Sequence, residues 1–93
     1  MRWSWDSDKA KSNLMKHGVS FEEAETVLRH VGTLVLYDSE NSSGKEDRFR
    51  SIGMSEKLNV LVVVHCERYG NENRIISARR ADKTEVKRWQ ERN

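Results

Sequence analysis

Six apolar residues fall within Leu58–Val64: Leu58, Val60, Leu61, Val62, Val63 and Val64. Such a run, dominated by β-branched side chains, suits a buried strand and little else. A polar stretch, Glu67–Glu72 with Gly70-Asn71 at its middle, can reverse the chain. Arg74–Arg80 then alternates cations with apolar residues, so two adjacent strands are expected at the centre of a sheet. His65, Arg74, Arg79 and Arg80 would lie at the ends and faces of this hairpin. Three arginines and a histidine on a strand pair suggest a surface suited to phosphate.

The rest of the chain supplies what such a sheet needs. Trp3 and Trp5 point the same way if extended. Asp6 or Ser7 offers an N-cap for a helix to about His17, with Ala10, Leu14 and His17 on one face and Gly18 as its stop. Ser20-Phe21-Glu22-Glu23 reads as a capping box, Ser20 at N-cap and Glu23 at N3. Phe21, Ala24, Val27, Leu28 and Val31 mark the apolar face of that second helix, which runs to about His30 before Gly32. Thr33–Tyr37 is a short strand, Asp38–Lys45 a polar loop, and Asp47–Ile52 a strand with Arg48, Arg50 and Ile52 on one face. Gly53–Lys57 turns into the long Leu58–Cys66 strand, and Asn73–Arg79 is the fourth. Asp82 caps a last helix, with Glu85 at N3 and Val86 and Trp89 on its apolar side. Consecutive strands with short links favour an antiparallel meander, and helices before and after it an α+β fold of one domain, residues 1–93.

Charge excludes less than it suggests. Net charge is +2, with 17 Lys/Arg against 15 Asp/Glu. Residues 46–93 carry 11 cations against 8 anions, whereas residues 1–45 carry 6 against 7, so the excess lies with the sheet and last helix. No apolar run reaches about 18 residues, so no membrane span is expected. The lone Cys66 and the absence of an apolar leader suit a reducing cytoplasm. The two N-terminal helices form a hairpin resembling a helix–turn–helix. Glu22, Glu23 and Glu25, however, stand where a recognition helix would meet DNA phosphates.

Several phrases together carry a likeness. Trp5-Asp6 with Lys9 and Asn13, then Lys16–Ala24 (KHGVSFEEA), resembles the opening of the BrnT toxin family. Leu61–Val64 followed by Arg74–Ala81 (RIISARRA) resembles its second half at the expected separation. The resemblance implies a RelE-like fold and a bacterial ribonuclease toxin of a type II toxin–antitoxin pair. Its partner would be a BrnA-type antitoxin that neutralises it in a hetero-oligomer and alone contacts operator DNA. Trp3 stands where an aromatic such as Phe is usual, and Trp89 near a frequent Tyr.

RNA cleavage without a metal needs a base for the 2′-OH proton, cations for the developing phosphate charge and an acid for the leaving 5′-oxygen. Three scattered His and one Cys lack ligand spacing, so neither metal nor cofactor is expected. Arg48 and Arg79 are the candidate phosphate stabilisers. Lys16, His17 and His65 are candidates for proton transfer, histidine because imidazole titrates near neutrality. Arg50, Arg74, Arg80 and Lys83 are candidate RNA contacts, Arg74 and Arg80 sharing strand parity. Each has a plain structural alternative: surface ion pairing for the arginines, a buried bonded imidazole for His65, a helix end for His17. The tryptophans could stack bases but equally anchor the core or a partner. A competing reading is a non-catalytic scaffold that binds an antitoxin and tunes operator binding.

Overall fold

The computed structural model describes residues 3–68 and 72–92. Helix α1, Ser7–His17, starts where the Asp6 carboxylate accepts the N–H groups of Asp8 and Lys9. It stops at Gly18, whose φ of 69° lets its N–H close back on the Leu14 carbonyl at 2.9 Å. Helix α2, Phe21–Arg29, is capped by Ser20 Oγ accepting the Glu23 N–H at 3.0 Å.

The second half of the expected capping box does not form. The Glu23 carboxylate is buried and turned inward, where it accepts Ser55 Oγ at 2.6 Å and Asn59 Nδ2 at 3.0 Å. Two donors at a buried carboxylate outweigh a solvent-exposed cap contact. The helix ends at Arg29, within a residue of the expected end but two residues short of Val31, the last position of its apolar period. His30 is extended, and Val31 is fully exposed.

Four strands follow: β1 Leu34–Tyr37, β2 Glu46–Met54, β3 Val60–Arg68 and β4 Glu72–Arg80. Between β1 and β2 the polar loop holds one 3-10 turn, Ser39–Asn41. The strands pair in chain order, each antiparallel to the next. The tip expected at Gly70-Asn71 lies outside the described residues. Helix α3, Lys83–Gln90, carries the full capping box between Asp82 and Glu85.

One sheet face packs on α1 and α2. Its core joins Leu61 and Val63 of β3, Ile75 and Ala78 of β4, and Val19, Phe21, Ala24 and Val27. Burying each large apolar side chain stabilises by about 1.5–3 kcal/mol, so this layer fixes the sheet's orientation. Trp5 meets Phe21 edge-on at 5.9 Å, and Trp3 meets His65 edge-on at 5.1 Å. Ser4, between them, pairs with β4: its N–H donates to Asn73 O at 3.0 Å and its carbonyl accepts the Ile75 N–H at 2.9 Å.

The hairpin of β3 and β4 is therefore not central, because β4 is the last strand of the sheet. Its outer edge is closed by Ser4 and, further along, by Asn13. The buried Asn13 amide donates to Ala78 O at 2.8 Å and Val19 O at 2.9 Å, and accepts the Ala78 N–H at 3.0 Å.

Candidate active site

The register assembles the arginines. Directly opposed residues of antiparallel strands share a face, as do residues two apart along a strand. On the face turned away from α1 and α2, four cross-strand rows result. They are Leu34–Ile52–Val62–Arg79, Leu36–Arg50–Val64–Ser77, Arg48–Cys66–Arg74 and Glu46–Arg68–Glu72. Successive rows are roughly 6.7 Å apart and strands roughly 4.8 Å apart, so Arg48, Arg50, Arg74 and Arg79 share one face within about two rows and two strands of each other.

Simple alternation would pair Arg74 with Arg80; the structure instead puts Arg74 with Arg79. Between Val64 and His65 the register shifts: Ser77 opposes Val64 and Ile75 opposes His65, leaving Ile76 without a partner. The extra residue flips the parity of everything before it. Arg80 opposes Leu61 and belongs to the other face, exposed at the strand's end. Lys83 is exposed at the start of α3.

Four of the five arginines on the face meet a carboxylate; Arg50 makes no ion pair among the described residues. Arg48 Nη2 and Arg68 Nε donate to the two oxygens of Glu46, both at 2.9 Å. Arg68 and Arg74 approach Glu72 at 3.6 Å. Arg79 donates through Nη1 and Nη2 to the two oxygens of Glu85, both at 2.8 Å. The hydrogen bond from Arg79 holds the Glu85 carboxyl down at about 2, and that from Arg48 lowers Glu46. Cys66, between Arg48 and Arg74 in its row, is fully buried, and burial pushes its thiol up from the ordinary value. Arg48 Nε is buried with no partner among the described residues.

Lys16 and His17 stand at the end of one row. Asn13 fastens α1 along the β4 edge, and residues three and four further on share its side of the helix. Lys16 and His17 thus line a groove with Lys9, Ser12, Asn13, Ile76 and Ser77. Ser77 ends the row that begins at Leu36 and Arg50, so this groove opens beside the arginine face.

His65 is elsewhere. It opposes Phe49 and Ile75 on the helix-bearing face, 6% exposed, stacked on Phe49 at 5.5 Å and covered edge-on by Trp3. Its Nε2 lies 2.7 Å from Ser51 Oγ, and its Nδ1 is buried with no partner among the described residues. Burial lowers its pKa to about 4, so the ring is neutral near pH 7. Trp89 is held through its Nε1–H to Gly32 O at 3.0 Å. Among the described residues no three His, Cys, Asp or Glu side chains are grouped to hold a metal ion, and no helix is long and apolar enough to cross a membrane.

Sequence reasoning missed the carboxylates. Glu46 lies two residues before Arg48, a spacing that puts both on one face of a strand, and Glu85 carries only the signature of a helix cap in the sequence.

Comparison with known proteins bears on this geometry. The family model described as "Ribonuclease toxin, BrnT, of type II toxin-antitoxin system" matches residues 5–85. That span includes all four arginines and both Lys16 and His17. The crystal structure of the Brucella abortus ribonuclease toxin BrnT superposes with a TM-score of 0.66 at 25% identity, covering 89% of this chain and 99% of that one. No curated protein sequence matches the chain. The family match over most of the sequence, with a full-length structural counterpart of the same three helices and antiparallel sheet, shows that the chain belongs to the BrnT family of ribonuclease toxins of type II toxin–antitoxin systems.

Proposed function

We propose that the chain is an endoribonuclease that cleaves RNA without a metal ion, arresting translation and growth until a BrnA-type antitoxin neutralises it. The observation that carries this reading is the convergence of Arg48, Arg50, Arg74 and Arg79 on one sheet face, beside the groove of Lys16 and His17. Guanidinium groups bind phosphate oxygens through paired N–H donors and remain charged throughout the pH range of life.

In this mechanism the RNA backbone lies across the arginine rows, and the scissile phosphate is held by Arg48 and Arg79. One of His17 and Lys16 takes the 2′-OH proton; the 2′-oxygen bonds to phosphorus, and the bond to the 5′-oxygen breaks as the other gives that oxygen a proton. Negative charge growing on the non-bridging oxygens is met by donors already in place. Arg50 and Arg74 hold flanking phosphates, and Arg80 and Lys83 contribute more peripheral positive charge. His65, neutral and shut between Trp3 and Phe49, serves the fold. The antitoxin covers the arginine face as a hetero-oligomer in the cytoplasm and alone contacts operator DNA.

A scaffold reading draws on one observation, the carboxylates that already meet Arg48, Arg74 and Arg79. Cleavage of a labelled RNA in EDTA separates the two. The wild type is expected to cut, Arg48→Ala and Arg79→Ala to lose about a hundredfold or more while still folded, and His65→Phe to keep cutting. A wild type inert with and without ribosomes would overturn the enzyme reading.

A further inference from the structure

The donors of Arg79 can be counted one by one. A guanidinium has five N–H groups: one on Nε and two on each Nη. Nη1 gives one to Glu85 Oε1 at 2.8 Å and one to the Arg80 carbonyl at 3.2 Å. Nη2 gives one to Glu85 Oε2 at 2.8 Å. Glu85 thus occupies the end of the guanidinium, where Nη1 and Nη2 point away from the stem, and the Arg80 carbonyl takes the proton on the stem's own side. Two donors remain without a partner among the described residues, the Nε–H and the second Nη2 proton. They lie parallel along the opposite side edge, the edge that matches two oxygens of a phosphate.

Glu85 is itself immobilised. Its Oε1 accepts the Asp82 N–H at 2.9 Å, while its own N–H donates to Asp82 Oδ1 at 2.8 Å. Its side chain is only 15% exposed. The capping box of α3 therefore holds the carboxylate, and the carboxylate holds the guanidinium.

We infer that Glu85 is a positioning residue for RNA cleavage, which orients Arg79 so that its Nε/Nη2 edge faces the phosphate; this rests on the proposed ribonuclease mechanism. The assignment accounts for an otherwise awkward pairing. An ion pair reduces the attraction of Arg79 for any anion, so Glu85 lowers affinity for RNA while fixing direction. Its contribution lies in turnover, because a donor already aimed needs no reorganisation as charge develops.

Opposite effects on binding and turnover follow, and a merely structural glutamate would not produce them. In Glu85→Gln the amide oxygen can still accept the Asp82 N–H and Arg79 Nη1, so α3 stays capped, but its NH2 group opposes the Arg79 Nη2 donor and the two-point hold on the guanidinium is lost. With one negative charge gone from the face, KM is expected to stay level or fall while kcat drops at least tenfold. In an Arg79→Ala background Glu85→Gln should change kcat no further, since the residue acts only through Arg79. A kcat within twofold of wild type, or a loss that persists without Arg79, would overturn the inference.

A second measurement stands apart from catalysis. Nitrogen-15 spectra of the arginine Nε–H groups, titrated with uncleavable 2′-O-methyl RNA, should show the Arg79 resonance moving in the wild type and not in Glu85→Gln. Equal movement in both would overturn the positioning role even if the wild type cuts nothing, whereas failure of cleavage alone removes only the ribonuclease reading.

Discussion

Asn13→Ala tests the logic of the β4 edge most directly. The side chain is 6% exposed and makes three bonds, donating to Val19 O and Ala78 O and accepting the Ala78 N–H. Truncation strands three backbone groups in the interior, at about 1–3 kcal/mol for each buried group left unsatisfied. The volume vacated is near that of one water, which can rebond part of the set, so a total of about 3 kcal/mol is expected. For a chain of this length each kcal/mol moves the midpoint by about 4–8 °C, giving a fall in Tm of about 12–24 °C. Urea and thermal unfolding, followed by tryptophan fluorescence, would read it, with the exposed Asn41→Ala as control. Asn13→Asp should lose at least as much at neutral pH, because a carboxylate oxygen then faces two carbonyl oxygens. A loss below about 1 kcal/mol for Asn13→Ala would refute the account of the edge.

Three further outcomes are expected. The unfolded His65 imidazole takes a proton near pH 6.5 and the native one only near 4, so between those values the unfolded state binds more protons. Stability should therefore fall by about 3 kcal/mol as pH drops across that window, and His65→Phe should flatten the slope in pH-dependent urea titrations. Phe21→Ala, at a fully buried core position, should cost about 3–5 kcal/mol in the same unfolding assay. Leu58 is 77% exposed at φ 64°, a conformation costly for a branched side chain, so Leu58→Gly should raise stability by about 0.5–1 kcal/mol.

Local signals carried most of the fold. Caps at Asp6, Ser20 and Asp82, the left-handed stop at Gly18 and the β-branched run before His65 act within a few residues, and those elements formed where read. Errors arose wherever a distant group competed. Glu23 left its cap for Ser55 and Asn59, more than thirty residues away. Val31 continued an apolar period that the extended His30 had already broken. His65 and the arginines were near in sequence, but burial under Trp3 depends on where the N-terminal segment runs, which no pattern around residue 65 records.

The arginine face shows the same limit in its sharpest form. Arg74 and Arg79 are five residues apart, an odd spacing that ordinary alternation sends to opposite faces. One unpaired residue, Ile76, reverses that outcome. It also resolves a conflict on the other side of the sheet: Ile75 and Ala78, three apart, are both needed in the core against α1 and α2, and regular alternation could supply only one. The bulge therefore satisfies the core and the arginine face at once. It lies between the residues fastened by Ser4 and the one fastened by Asn13, so the edge of β4 is pinned on both sides of the irregularity. Ile76 itself lines the groove with Lys16 and His17. One unpaired apolar residue thus aligns the arginine face proposed to bind phosphate, the buried layer and the rim where proton transfer is proposed.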